Sequence, residues 1–359
     1  MQRNTWCYSR DWRRDGRRRR HASPDRQRPR PNRATPSSFR LIHEVKVCGM
    51  RRHKLDVQSS DSNNPNTDNF KLIVADSACE RVFTVNDVEH SGCKYGIMNF
   101  RGCTGGSLSV EMCDNLYFTN RKSSPSLWLQ IDLLLLQGPC PSAKRKMLAI
   151  AKSYQSKIVC SLSRRVIVTD AVTGRRQTYG ISSDVLAQQF TLRAPVLYNG
   201  CRSGEIFSID LRQRTRRGQS WKGVRFYQDS AITSVRILQD ENYLVAADML
   251  GKIRLWDIRM AKSVRQYVGH HNEHAYLPLH LNEQEGLLLA VGQDCYTRLW
   301  SLADGHLLRT IPSPHPASKD SLPSVVFSSQ LGGKSGLPGL LMAVSQDLYY
   351  YSYNSDYQE

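Results

Sequence analysis

The chain has 359 residues, of which 40% are apolar and 9% aromatic, and a net charge of +18. That length and apolar content suffice for the core of one large or two ordinary domains, which excludes a chain disordered throughout. The charge is uneven. Residues 1–40 carry 13 arginines, no lysine and three acids (Asp11, Asp15, Asp25), +10 in all, leaving +8 for the other 319 residues.

This arginine run, with Pro24, Pro29, Pro31 and Pro36 and almost no aliphatic residues, cannot bury enough surface to offset chain entropy, so residues 1–40 are expected to be a disordered basic tail. Arg17 to Arg20 fit a nuclear-import or nucleic-acid patch, or a solvated tail with no specific ligand. Residues 41–69 are expected as a linker or closing strand, and 70–356 as the folded domain. No apolar core of a secretory signal occurs in residues 1–30. The longest apolar run, LWLQIDLLLLQG at 127–138, contains Asp132 and is short of the roughly 20 residues of a membrane span. The ten cysteines form no C-x-x-C pair and no N-x-S/T sequon is present. The expectation is an intracellular protein without metal, cofactor or membrane, nuclear in location with the cytoplasm left open.

In chain order, KLIVADSACERVFTVND (71–87) reads as strand, turn, strand, and IVCSLSRRVIVTDAVTGRRQTYG (158–180) repeats that outline. VLYNGCRSGEIFSIDLR (196–212) follows 40 residues on, and LVAADMLGKIRLWDIRMAKSVRQYVGH (244–270) a further 47. LLAVGQDCYTRLWSLADGHLLRTI (288–311) aligns 44 residues later with Trp300 under Trp256, and LLMAVSQDLYYYSYN (340–354) repeats AVGQD as AVSQD. The clearest unit, 230–268, divides into four short strands separated by turn residues. Four-stranded units at a period of 40 to 50 residues describe propeller blades, since one blade cannot bury both faces and a ring of them can. The fold expected is all-β, a β-propeller of seven blades. Six units are visible, and 41–69 with 101–155 must supply the seventh, although 123–157 shows no blade-like alternation.

Asp210 is followed two places later by Arg212, and Asp257 by Arg259. Residues two apart in an extended chain share a side. Each pair is therefore either a local ion pair at a turn or an outward arginine for a partner. HHNEH (270–274) offers two histidines four apart, but the stretch joins two strands, so a structural role is expected. No G-x-S-x-G, phosphate-cradling G-x-x-x-x-G-K-[ST] or H-E-x-x-H occurs, and no enzyme is expected.

Gly269-His270, the turn residue Asp294 and Trp300 resemble the buried hydrogen-bonded set of WD-repeat blades, which implies a structural network of His270, Asp294 and Trp300. Asp229 stands where the preceding blade would have its histidine, and Ile209, Thr169 and Tyr353 stand at tryptophan positions. LWDIR resembles the box by which WD-repeat receptors engage the damaged-DNA-binding-protein adaptor of cullin-4 RING ubiquitin ligases. With SDVLAQQF (183–190), NGCRSGEIFSIDLR (199–212), SVRILQDE (234–241), GQDCYTRLWSL (292–302), LLRTIPSP (307–314), FTVNDV (83–88) and NLYFTNRK (115–122), the chain resembles the cullin-4-associated factor four family. The resemblance implies adaptor contact through Trp256, Asp257 and Arg259, and in weaker form through Asp210 and Arg212. It also implies a cullin-4 scaffold, an unknown protein client and a non-catalytic role. The alternative is a nuclear WD-repeat scaffold that binds RNA or chromatin through residues 1–40.

Overall fold

The computed structural model describes residues 44–353 except 56, 60–68, 76–80, 89–91, 102–108, 115–148, 155–156, 163, 171, 214–221, 317–321 and 332–336. Expectations placed on the basic tail, on 115–122 and on the apolar run 127–138 lie outside the described residues.

A short helix at 44–48 leads into β1 (Arg51–Leu55) and β2 (Val57–Ser59). The first sheet holds β3 (Asn69–Ala75), β4 (Arg81–Val88), β5 (Gly92–Arg101) and β6 (Ser109–Asp114), with β2 parallel to β6 at its edge. The second holds β7 (Ala149–Tyr154), β8 (Lys157–Leu162), β9 (Arg165–Asp170) and β10 (Arg176–Gly180). The third holds β11 (Val185–Phe190), β12 (Val196–Cys201), β13 (Glu205–Asp210) and β14 (Lys222–Tyr227). The fourth holds β15 (Ile232–Ile237), β16 (Tyr243–Asp248), β17 (Ile253–Asp257) and β18 (Lys262–Tyr267). The fifth holds β19 (Leu279–Asn282), β20 (Leu287–Val291), β21 (Thr297–Ser301) and β22 (Leu307–Ile311). The sixth holds β23 (Ser324–Leu331), β24 (Leu337–Val344) and β25 (Asp347–Ser352), and β1 completes it at the edge.

The first strands adjoin in the order β7, β11, β15, β19, β23, β3, as in a β-propeller. Second strands are covered on both faces by neighbouring sheets, so β20, LLLAV, is an unbroken buried run. Fourth strands are half wet and alternate: β18, KSVRQY, is exposed at Lys262, Val264 and Gln266 and buried at Tyr267.

Closure is non-local. β1 pairs with β25 from Arg51 opposite Ser352 to Leu55 opposite Leu348. Lys54 Nζ reaches Asp347 Oδ1 at 2.9 Å, and Arg309 Nη1 donates to the carbonyls of Val47 (2.8 Å) and Met50 (3.0 Å). Val47 and Met50 are buried against Leu287, Leu299 and Leu340.

Seven blades were expected, and the described residues form six sheets. The pieces assigned to the seventh serve elsewhere: Arg51–Leu55 closes the sixth sheet, Val57–Ser59 edges the first, and Ala149–Tyr154 is the first strand of the second. The last placement puts a strand at the end of 123–157, the stretch whose sequence shows no blade-like alternation. Ala149–Tyr154 pairs with β8 through an irregularity between Ala151 and Tyr154, and pairing of this kind overrides a weak local pattern.

Candidate functional site

β13 and β17 end alike. Asp210 lies opposite Val196, the first residue of β12, and Asp257 lies opposite Tyr243, the first residue of β16. The next residue in each case turns toward the preceding connection: Leu211 N donates to Pro195 O at 2.9 Å and Ile258 N to Asn242 O at 2.8 Å. The aspartates cap these turns, with Arg212 N donating to Asp210 Oδ1 and Arg259 N to Asp257 Oδ1, both at 2.9 Å. Short carboxylates favour such turns because they bond their own backbone two residues on. Asp170 ends β9 in the same way, accepting from Val172 N and Thr173 N at 3.0 Å, yet has Val172 where the others have arginine. The aspartate is architecture; the arginine is not.

The glycines that open GEIFSIDLR (204–212) and GKIRLWDIR (251–259) have equivalent roles. Gly204 and Gly251 have φ of +82° and +76°, and a Cβ would stand 2.1 Å from Gln228 O and 2.8 Å from His270 O. Both glycines lie where the turn before the third strand meets the chain passing to the next sheet.

The two arginines differ in posture. Arg212 folds its fork onto Asp210, with Nε at 3.0 Å from Oδ1 and Nη2 at 2.8 Å from Oδ2. These bonds outweigh partial burial and hold the Asp210 carboxyl below the usual carboxylate range. Arg259 Nη2 stays 3.8 Å from Asp257 Oδ2; that carboxylate is buried, and its Oδ1 accepts from the Arg259 and Met260 backbone N–H groups. The side chains of Arg212 and Arg259 are 65% and 68% exposed. An exposed ion pair contributes only ~0–1 kcal/mol, so redirecting the Arg212 fork costs little.

Trp256 is buried against Phe226, ring centroids 5.3 Å apart, and its Nε1 has no hydrogen-bond partner among the described residues. It supports β17 from beneath and presents no surface of its own. Met260, on the same turn as Arg259, is an exposed apolar side chain, and Val172 after β9 and Leu192 after β11 are exposed on turns of their own. Neighbouring turns are stitched together by acids. Glu241 Oε1 accepts from Arg193 N, and Glu283 accepts from Gln239 N at 2.9 and 3.0 Å. The site is therefore a rim of successive sheet turns with two long, exposed cations and scattered exposed apolar groups.

His270, Asp294 and Trp300 lie together, but their hydrogen bonds go elsewhere. Trp300 Nε1 donates to Val268 O at 2.8 Å, and Asp294 takes both Nη groups of Arg298, at 3.0 and 2.5 Å. His270 stands edge-on to Trp300 at 6.4 Å, and its buried Nδ1 is without a partner among the described residues. Burial first, and then the Arg298 charge, push the His270 pKa down to about 4. Arg298, four residues after Asp294, offers a charge-assisted fork that a neutral imidazole cannot match. This corrects the expected hydrogen-bonded set in the fifth sheet.

A hydrogen-bonded histidine–aspartate set, partly exposed and with Tyr349 rather than a tryptophan as its third member, forms in the sixth sheet. Asp347 Oδ2 meets His315 Nε2 at 3.0 Å and accepts from Tyr349 Oη at 3.1 Å, while its Oδ1 faces Lys54. Sequence reasoning missed it, although AVSQD at 343–347 repeats AVGQD at 290–294 with the aspartate in the same place. In HHNEH, Asn272 organises the turn by accepting from His274 N and Ala275 N, and His271 lies 4.0 Å from Glu273. No His/Cys/Asp/Glu group suited to a metal occurs among the described residues, and no helix there is long and apolar enough to cross a membrane. Tyr349, Tyr350 and Tyr351 are buried in strand β25 and fill the core.

Residues 38–135 and 143–353 match the family model described as the DDB1- and CUL4-associated factor 4 beta-propeller domain. The chain is 51% identical over 352 residues to DDB1- and CUL4-associated factor 4 of Homo sapiens, covering 88% of this chain and 71% of that protein. It is 49% identical over 356 residues to the Bos taurus protein of the same name, covering 89% and 72%. It is 45% identical over 352 residues to the Homo sapiens DDB1- and CUL4-associated factor 4-like protein 2, covering 88% and 89%. Together with the propeller-like sheets of the described residues, these matches place the chain in the DDB1- and CUL4-associated factor 4 β-propeller family.

Proposed function

We infer that this chain is a substrate receptor of a cullin-4 RING ubiquitin ligase, docked on the DDB1 adaptor. Association with DDB1 and CUL4 is carried in the names of its relatives. The observation that carries the docking mode is the pair of outward arginines, Arg212 and Arg259, at equivalent third-strand exits of neighbouring sheets. Asp210 and Asp257 set the two turns and Trp256 backs one of them, while the guanidinium groups, with Met260 on the same turn as Arg259, meet acidic or carbonyl groups of the adaptor. The propeller performs no bond chemistry. It holds a client near the ubiquitin-charged enzyme brought by the cullin, and transfer is faster because the effective concentration is higher. The arginine run at 17–20 directs the receptor to the nucleus.

Capture of purified DDB1 by the full chain tests this directly. Arg212→Ala with Arg259→Ala is expected to weaken capture at least tenfold while the chain stays folded. Undiminished capture by the folded double variant would sink the arginine contact, and salt-sensitive RNA binding lost with residues 1–40 would favour the scaffold alternative instead.

A further inference from the structure

We propose that the cavity lined by inner strands of the propeller binds a small oxyanion, a carboxylate or phosphate group, on the Arg236 guanidinium. The cavity has a volume of about 460 Å³ and is lined from β3, β11, β15, β23 and the segment leading into β19. That size falls within the range of small-molecule pockets.

Arg236 lies on β15 and is among the residues lining the cavity. Its Nε donates to Leu279 O at 2.8 Å, the one hydrogen-bond partner of the side chain among the described residues. A guanidinium carries five N–H donors, so four remain for the cavity. No described carboxylate pairs with it, and burial works against its charge, with Tyr276 the one ionisable neighbour that offsets this. A cation enclosed by protein costs free energy until it is paired. The planar fork selects a bidentate oxygen pair, the geometry of a carboxylate or phosphate.

The other polar groups suit the same ligand. His280 lines the cavity, and burial, together with the Arg236 charge, pushes its pKa down to about 4, so at neutral pH it can donate one N–H without adding charge. Gln188, also lining it, bonds Asn199 Oδ1 through Nε2 at 2.7 Å and keeps a buried Oε1 without a partner among the described residues, an acceptor for a ligand hydroxyl. Leu72, Ile73, Val74, Leu277 and Val325 supply apolar wall. The site lies on the inner strands and is separate from the arginine rim, so it does not rest on the adaptor reading.

Inorganic phosphate and citrate, each titrated calorimetrically into the full chain at low ionic strength, test the proposal. Saturable one-to-one binding of at least one is expected, weakened tenfold or more by Arg236→Met, severalfold by Arg236→Lys, and unchanged by Arg212→Ala with Arg259→Ala. Binding of phosphate alone or citrate alone identifies which oxyanion the site takes. Absence of saturable binding by both, or equal affinity in Arg236→Met, overturns the site. If Arg236→Met does not fold, phenylglyoxal modification of the wild-type chain mapped by mass spectrometry replaces it. The binding anion is expected to protect Arg236, and equal modification with and without it overturns the proposal.

Discussion

Arg259 holds the Asp257 carboxylate with its backbone N–H at 2.9 Å while its own guanidinium stands off at 3.8 Å. The acid therefore belongs to the turn and the cation to the surface, and the two should separate on mutation. Asp257→Ala leaves the Arg259 and Met260 N–H groups without their acceptor and is expected to cost ~1–3 kcal/mol. Arg259→Ala should stay within about 0.5 kcal/mol of wild type. Urea denaturation midpoints compare them, and a loss at Arg259→Ala as large as at Asp257→Ala would contradict the assignment.

Gly204 and Gly251 combine positive φ with a carbonyl where a Cβ would go. Alanine at either is expected to destabilise by more than ~1 kcal/mol, because the left-handed conformation and the close approach both oppose it. The effect should be larger at Gly204, where the approach is 2.1 Å rather than 2.8 Å. Melting temperatures of the two variants decide the order.

The two strand tryptophans predict opposite sensitivity. Trp300 donates to Val268 O and is fully buried, so Trp300→Phe loses a hydrogen bond, strands a carbonyl and leaves space, at ~2–4 kcal/mol. The Trp256 indole N–H is buried without a partner among the described residues, so Trp256→Phe removes an unsatisfied donor and should cost less than about 1.5 kcal/mol. Equal losses in urea would show that Trp256 has a partner.

Burial holds His270 and His280 neutral, each with its pKa pushed down to about 4. The unfolded chain protonates them near pH 6.5. Their contribution to stability is therefore complete above that pH and is lost as pH falls toward 4, at up to about 1.4 kcal/mol per pH unit for each histidine. Melting temperature followed between pH 7 and 4.5 should drop, and His280→Gln should flatten the fall. An unchanged slope in that variant would show that His280 titrates normally.

The repeat, the strands and the rim pairs were legible from the sequence, because alternation, turn residues and spacing are local properties. GKIRLWDIR and GEIFSIDLR repeat because the opening glycine, the inward apolar positions and the capping aspartate are each required at the same place in a sheet. Contacts between distant segments were not legible. Nothing local to Arg51–Leu55 names Leu348–Ser352 as its partner, and Ala149–Tyr154 becomes a strand through pairing with β8. Likewise, the sequence suggested His270 as the partner of Asp294, and the folded positions gave the carboxylate to the charged fork of Arg298 instead. Arg236 reads in the sequence as one more basic residue on a strand. Its place in a cavity without a described counter-charge follows from the meeting of inner strands far apart in the chain, which tertiary packing alone decides.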